Sequence, residues 1–250
     1  MTKFLIALFV ATAAMASDGT VSLSPAVITL RGEGGQSTRQ RLFLRNDTSR
    51  ALTFDVEAED VIVRGGKRLF VPAGATPGSI AATAVFSATR ITVAAGESAP
   101  VDMTVTMPRG SAERAVVAFF RGLDKIVNGN VTTTASLGAL LTFTLSDSVS
   151  MNAGALQVQP QTPTSNLAVA QRCTNSGLEP FVTRGMLAVI GRDGRLVGKA
   201  ALQPRRLLPG EVATLGAEYG AELRPGRYRL IVTFDYDGRA LSQSAEVEVR

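Results

Sequence analysis

Residues 51–59 alternate without a break: Leu52, Phe54, Val56 and Ala58 fall on one side, Thr53, Asp55, Glu57 and Glu59 on the other. A period of two predicts a half-buried β-strand, because successive side chains point to opposite faces. The pattern returns in residues 101–107, with Val101, Met103, Val105 and Met107 inward. It returns again in residues 227–234, where Tyr228, Leu230, Val232 and Phe234 share a face. Asp193-Gly194 and Asp237-Gly238 lie between apolar runs and mark tight hairpin turns. Gly32-Glu33-Gly34-Gly35 reads as a further turn between strands. Past the first residues, no long segment spaces its apolar positions by three and four. The pattern predicts an all-β protein of sandwich or barrel type.

A weak internal repeat divides it. Gly96-Glu97 precedes an alternating strand, then Pro108, then the apolar residues 115–120; Gly210-Glu211 precedes a strand, then Pro225-Gly226, then the apolar residues 228–234. Two copies of one end of a sandwich give this order. Pro225-Gly226-Arg227-Tyr228 matches the corner at which an immunoglobulin-like sandwich bonds a tyrosine hydroxyl to the backbone. The small polar residues 146–154 place a boundary between Asp147 and Gln161. The expected layout is therefore two immunoglobulin-like β-sandwiches in tandem, residues 17–150 and 151–250. The excess length of the first is assigned to residues 64–83, as a hairpin or long loop. Ahead of them, Lys3, the apolar residues 4–14 and Ala14-Met15-Ala16 have the order of a secretory signal. Residues 1–16 are read as that signal, which places the mature chain in the periplasm or outside the cell. No later window is long and apolar enough for a transmembrane helix.

Composition narrows the chemistry. Among 250 residues there is no histidine and one cysteine. Those counts exclude a Ser-His-Asp triad, a Cys-His pair, a histidine zinc site and an intramolecular disulfide. There is no P-loop, no G-x-S-x-G, no G-x-G-x-x-G and no acidic calcium loop. No catalytic residue, metal ligand or cofactor is expected, and a hydrolase working through carboxylates is the remaining enzymatic reading. Asp55, Glu57 and Glu59 read as the wet face of their strand. The 26 Lys and Arg against 21 Asp and Glu leave a net +5, with small arginine groups at Arg205/Arg206 and Arg224/Arg227/Arg229. They read either as a solvated face or as a contact to an anionic partner. Nucleic acid is not expected, since basic and aromatic residues do not interleave. Cys173, within an alternating apolar stretch, is expected to be buried.

Residues 134–145 are the one segment with a binding role in prospect. Leu137, Ala139, Leu141, Phe143 and Leu145 share a face. As the last strand of the first sandwich it has two readings. It is an edge that captures an extended segment of another protein by β-augmentation, or its apolar face completes the domain's own core.

These pieces resemble the periplasmic pilus-assembly chaperone superfamily, the PapD-like proteins. Residues 21–30 resemble the family's opening strand, 41–46 and 51–59 its second and third, and 113–120 the strand before its terminal hairpin. Residues 137–145 resemble the alternating strand with which such chaperones complete a pilin. The resemblance implies two immunoglobulin-like domains, periplasmic work, no cofactor, no enzymatic activity and a pilus or surface subunit as protein partner, bound through Leu137, Ala139, Leu141, Phe143 and Leu145. The family anchors the subunit's terminal carboxylate with a Thr-Arg pair in the opening strand and a Lys in the terminal strand. Here those opening positions are Ala26 and Val27, and residues 134–145 contain no Lys. Arg121 and Lys125 are the nearest basic residues and the candidate carboxylate contacts. The alternative function is a non-enzymatic structural or adhesion module of the cell envelope.

Overall fold

The computed structural model describes residues 19–250 except 108, 110–111 and 129–130. The segment read as a secretory signal lies outside the described residues.

Among the described residues the first unit holds twelve strands. They are β1 (Val21–Ser24), β2 (Val27–Arg31), β3 (Ser37–Asn46), β4 (Leu52–Arg64), β5 (Lys67–Pro72), β6 (Val85–Phe86), β7 (Arg90–Val93), β8 (Ser98–Thr106), β9 (Ala115–Gly122), β10 (Ile126–Asn128), β11 (Val131–Thr133) and β12 (Ser136–Thr144). One sheet runs β1-β3-β8-β6; the facing sheet runs β2-β12-β9-β4-β5, with β7 also on β4. β10 and β11 form a hairpin between β9 and β12. Period two sends one side of each strand between the sheets, where Leu42, Leu44, Leu52, Phe54, Val101, Met103, Val105 and Phe120 are buried. The opening strand serves both sheets. β1 pairs antiparallel with β3, the chain crosses over at Ser24-Pro25, and β2 then runs parallel to β12. Residues 64–83 are both hairpin and loop: β4 turns through Gly65-Gly66 into β5, and a 3₁₀ turn at Ala81–Thr83 follows.

The second unit comprises β13 (Met151–Gln159), β14 (Leu167–Asn175), β15 (Phe181–Ile190), β16 (Leu196–Leu207), β17 (Val212–Tyr219), β18 (Gly226–Tyr236) and β19 (Arg239–Val249). The sheet β13-β14-β17 faces the sheet β16-β15-β18-β19, an immunoglobulin-like order. Its core joins Leu167, Cys173, Leu187, Leu207, Leu230 and Phe234, and includes Val149 from the connecting segment. Asp237 and Gly238, with φ of 52° and 74°, turn β18 into β19. The Tyr228 hydroxyl donates to Arg224 O at 2.7 Å, the expected tyrosine corner. The protein is thus two β-sandwiches in tandem, as the alternation predicts.

The repeat is visible as a shared device. Asn46 and Asn175 end equivalent strands and are buried. Gly96 N donates to Asn46 O, and Gly210 N to Asn175 O. Asn46 Nδ2 caps Val93 O and Arg50 O, and Asn175 Nδ2 caps Leu207 O and Glu179 O.

Two buried carboxylates join the units. Glu179 accepts Arg114 Nε at 3.1 Å, Leu145 N at 3.1 Å and Ser146 Oγ at 2.9 Å. Glu211 accepts Arg68 Nε at 2.9 Å and Leu208 N at 2.8 Å. Between them Leu208 packs on Val61, Ala115 and Val117 of the first unit. A charge pair held this way is costly to break, because removing one partner strands the other in a dry site.

Candidate functional site

β12 is flanked unequally. Its residues Ser136–Thr142 pair antiparallel with Arg121–Ala115 of β9. On the other side β2 covers only Leu140–Thr144. Leu140 N donates to Ala26 O and Gly32 N to Thr144 O, whereas Phe143 N donates to Arg114 O. Even-numbered residues of β12 therefore turn their main-chain groups toward β2, and odd-numbered ones toward β9. It follows that the N–H and C=O of Ser136 and Gly138 face an edge that β2 does not reach. Among the described residues no strand pairs with it, and both residues are exposed.

The apolar face of β12 lies elsewhere. Ala139, Leu141 and Phe143 are buried in the first core, and Leu137 and Leu145 pack at its margin. Of the two sequence readings of that face, completion of the domain's own core describes these side chains, and the edge-facing main-chain groups of Ser136 and Gly138 are what is left without a strand partner among the described residues. The opposite face carries Gly138 and Leu140. A Cβ on Gly138 would meet Val117 Cγ2 at 2.9 Å and Phe119 Cε1 at 3.2 Å, so Phe119 occupies the place a side chain there would take. Phe119 stacks edge-on with Phe70 at 5.3 Å. Phe70 and Val27 are each 53% exposed. Phe70, Phe119, Leu140 and Val27 thus form an apolar shelf beside the uncovered edge.

Charge is distributed around this shelf in three ways. Arg121 is bound to Glu57 and Glu59 and lies over the Phe119 ring at 4.5 Å; its pKa is raised, chiefly by the bond to Glu57. The wet face of β4 is therefore an ion-pair face, with Asp55 held by Arg90 as well. Lys125 is exposed at the start of the β10–β11 hairpin, and its carbonyl accepts Arg50 Nη2. The third group is Arg206. It reaches from β16 of the second unit to the first, donating from Nη1 to Thr142 Oγ1 and from Nη2 to Thr29 Oγ1, both at 2.8 Å. Among the described residues it is the partly buried arginine with no carboxylate in ion-pair range. Burial, then the neighbouring Arg68, push its pKa down.

The sequence singled out Arg205/Arg206 as a group and left it between two readings. The structure separates them: Arg205 lies 3.8 Å from Glu211, and Arg206 points into the space between the units. Thr29, Thr142 and Glu179 had no signal, and Glu211 was legible only as part of a turn, since the partners that join the units lie far away in sequence. No three His, Cys, Asp or Glu side chains among the described residues are placed to hold a metal. No helix there is long and apolar enough to cross a membrane.

No family model and no curated protein matches the chain. Among solved structures it is similar to the class 5 fimbriae chaperone CfaA, at 12% identity over 90% of this chain and 98% of that one, TM-score 0.49. It is similar to the Escherichia coli chaperone DraB, at 14% identity over 92% and 98%, TM-score 0.42. A third similarity is to the chaperone–tip adhesion subunit complex CsuC–CsuE of Acinetobacter baumannii, at 8% identity over 91% and 98%, TM-score 0.45. The fold stands on the strand order and the two cores described above.

Proposed function

We propose that this chain is a periplasmic chaperone-like protein that binds an extended strand of a pilus or surface subunit by β-strand addition, without catalysis. The observation that carries the reading is the uncovered half of the β12 edge, at Ser136 and Gly138, on a strand that also holds, further along at Thr142, a half-buried arginine with no carboxylate in ion-pair range among the described residues. An extended segment paired there gains main-chain hydrogen bonds and sets alternate side chains on the shelf of Phe70, Phe119 and Leu140. Arg206 is the cation best placed for a terminal carboxylate: Arg121 already has two carboxylates, whereas Arg206 has hydroxyls only. The grip thus passes from the side chains Leu137, Ala139, Leu141, Phe143 and Leu145 to the backbone between them.

The test is a binding titration with a peptide of alternating apolar residues ending in a free carboxylate, and with its C-terminal amide. Ser136→Pro removes one edge donor at an exposed position. It is expected to weaken the acid peptide at least tenfold with the melting temperature unchanged. Arg206→Ala is expected to erase the preference for acid over amide. Binding that ignores both substitutions would return the chain to a structural or adhesion module of the envelope.

A further inference from the structure

β2 is the most lightly held strand around β12. It has five residues, none of them buried: Val27, Thr29 and Arg31 are exposed, and Ile28 and Leu30 only lean on the core. It pairs on one side alone, in the parallel sense, and among the described residues no strand pairs with its outer edge. β9, on the other flank of β12, pairs along seven residues and buries Ala115–Ala118 and Phe120.

Beyond its ladder with β12 and a Thr142 Oγ1 bond to Ile28 O at 3.3 Å, the side-chain ties on β2 come from outside its own sandwich. Arg206 of β16 bridges the register pair Thr29 and Thr142, so one guanidinium clasps β2 to β12. At the end of the strand Arg31 bonds Asp147 of the connecting segment at 3.0 Å and lies 3.9 Å from Asp237 in the β18–β19 turn. That second tie is solvent-exposed and worth little, which leaves Arg206 as the latch.

We propose that β2 is a removable cover held by the second sandwich through Arg206, and that its release adds Leu140–Thr144 to the edge on which an extended polypeptide docks. The edge then grows from the stretch around Ser136 and Gly138 to the whole of β12. The orientation of the two units governs how much of it is open. The use of this device rests on the strand-addition reading; its test does not, since no partner is needed.

Amide hydrogen exchange on the full chain, resolved by residue, reads the cover directly. The Leu140 and Gly32 amides bond across the β2–β12 pair, and the Phe143 amide bonds on the β9 side. In the unmodified protein Leu140 and Gly32 are expected to exchange at least tenfold faster than Phe143, by local opening. Arg206→Ala, and Thr29→Val as the milder change that removes only the β2 acceptor, are each expected to speed those two amides a further tenfold or so, the worth of one charge-assisted hydrogen bond. Phe143 should not change. Leu140 and Gly32 exchanging in step with Phe143, or all three rising together in both variants, would overturn the proposal.

Discussion

Leu141 has no exposed surface and sits among Phe54, Val116 and Phe120 in the first core. Leu141→Glu would therefore place an unpaired carboxylate in an apolar interior, at a cost of several kcal/mol, against a total stability of about 5–15 kcal/mol. The expected outcome is loss of the cooperative unfolding transition of the first sandwich. Cys173 is buried, and desolvation pushes its thiol up to about 11. At pH 8 that leaves about a hundredfold less thiolate than an ordinary cysteine, so alkylation should wait for denaturant. The neutral thiol is favoured in the fold. Its contribution is fully present below the unfolded thiol's pKa and is lost as pH rises toward 11, a loss that Cys173→Ala should remove from the stability profile. Burial of Cys173 was legible because it depends only on the period of its own strand. Asp60 was not. It continues the inward parity of Leu52, Phe54 and Val56, and its buried carboxylate accepts Ser79 Oγ, Ile80 N and Ala81 N from a loop twenty residues on. Those donors have no pattern in the sequence. Asn175 is similar: Asn175→Ala strips the donor from Leu207 O and Glu179 O, and should cost about 1–3 kcal/mol in denaturant unfolding.

Hairpins were the most legible elements, because a tight turn needs particular residues at particular places. Asp193-Gly194 joins β15 to β16, and Asp237-Gly238 joins β18 to β19. Nothing lies within 4 Å of a Cβ placed on Gly238. Gly238→Ala thus isolates the conformational cost of its positive φ, expected near 1 kcal/mol. The opening strand was legible as a strand, but its crossover was not. Alternation tells which face is buried, and leaves open which neighbour a strand pairs with. The same limit explains residues 137–145: period two found their apolar face, while only the register with β2 and β9 shows which main-chain groups remain unpaired.

At the scale of the whole molecule, the tandem of two sandwiches followed from two blocks of strands around a short polar connection. The contact between them did not, since it depends on pairs more than sixty residues apart. Arg114 with Glu179 and Arg68 with Glu211 are low in exposure and share carboxylates with backbone amides. Glu179→Ala leaves Arg114 without that carboxylate and should cost about 3–5 kcal/mol. The loss should be accompanied by a wider spread of inter-unit distances in solution scattering. Such rigidity would hold Arg206 against Thr29 and Thr142, and hence hold β2 in place beside the open edge of β12. The central claim is that an extended polypeptide pairs with the open edge of β12. Its most direct test is a photo-crosslinker at position 136, compared with one at Ser244 on the exposed face of β19, in cells that express the full chain. The account predicts an adduct from position 136 alone, mapping to an extended segment of a surface subunit. Equal adducts from both positions, or none from position 136, would contradict it.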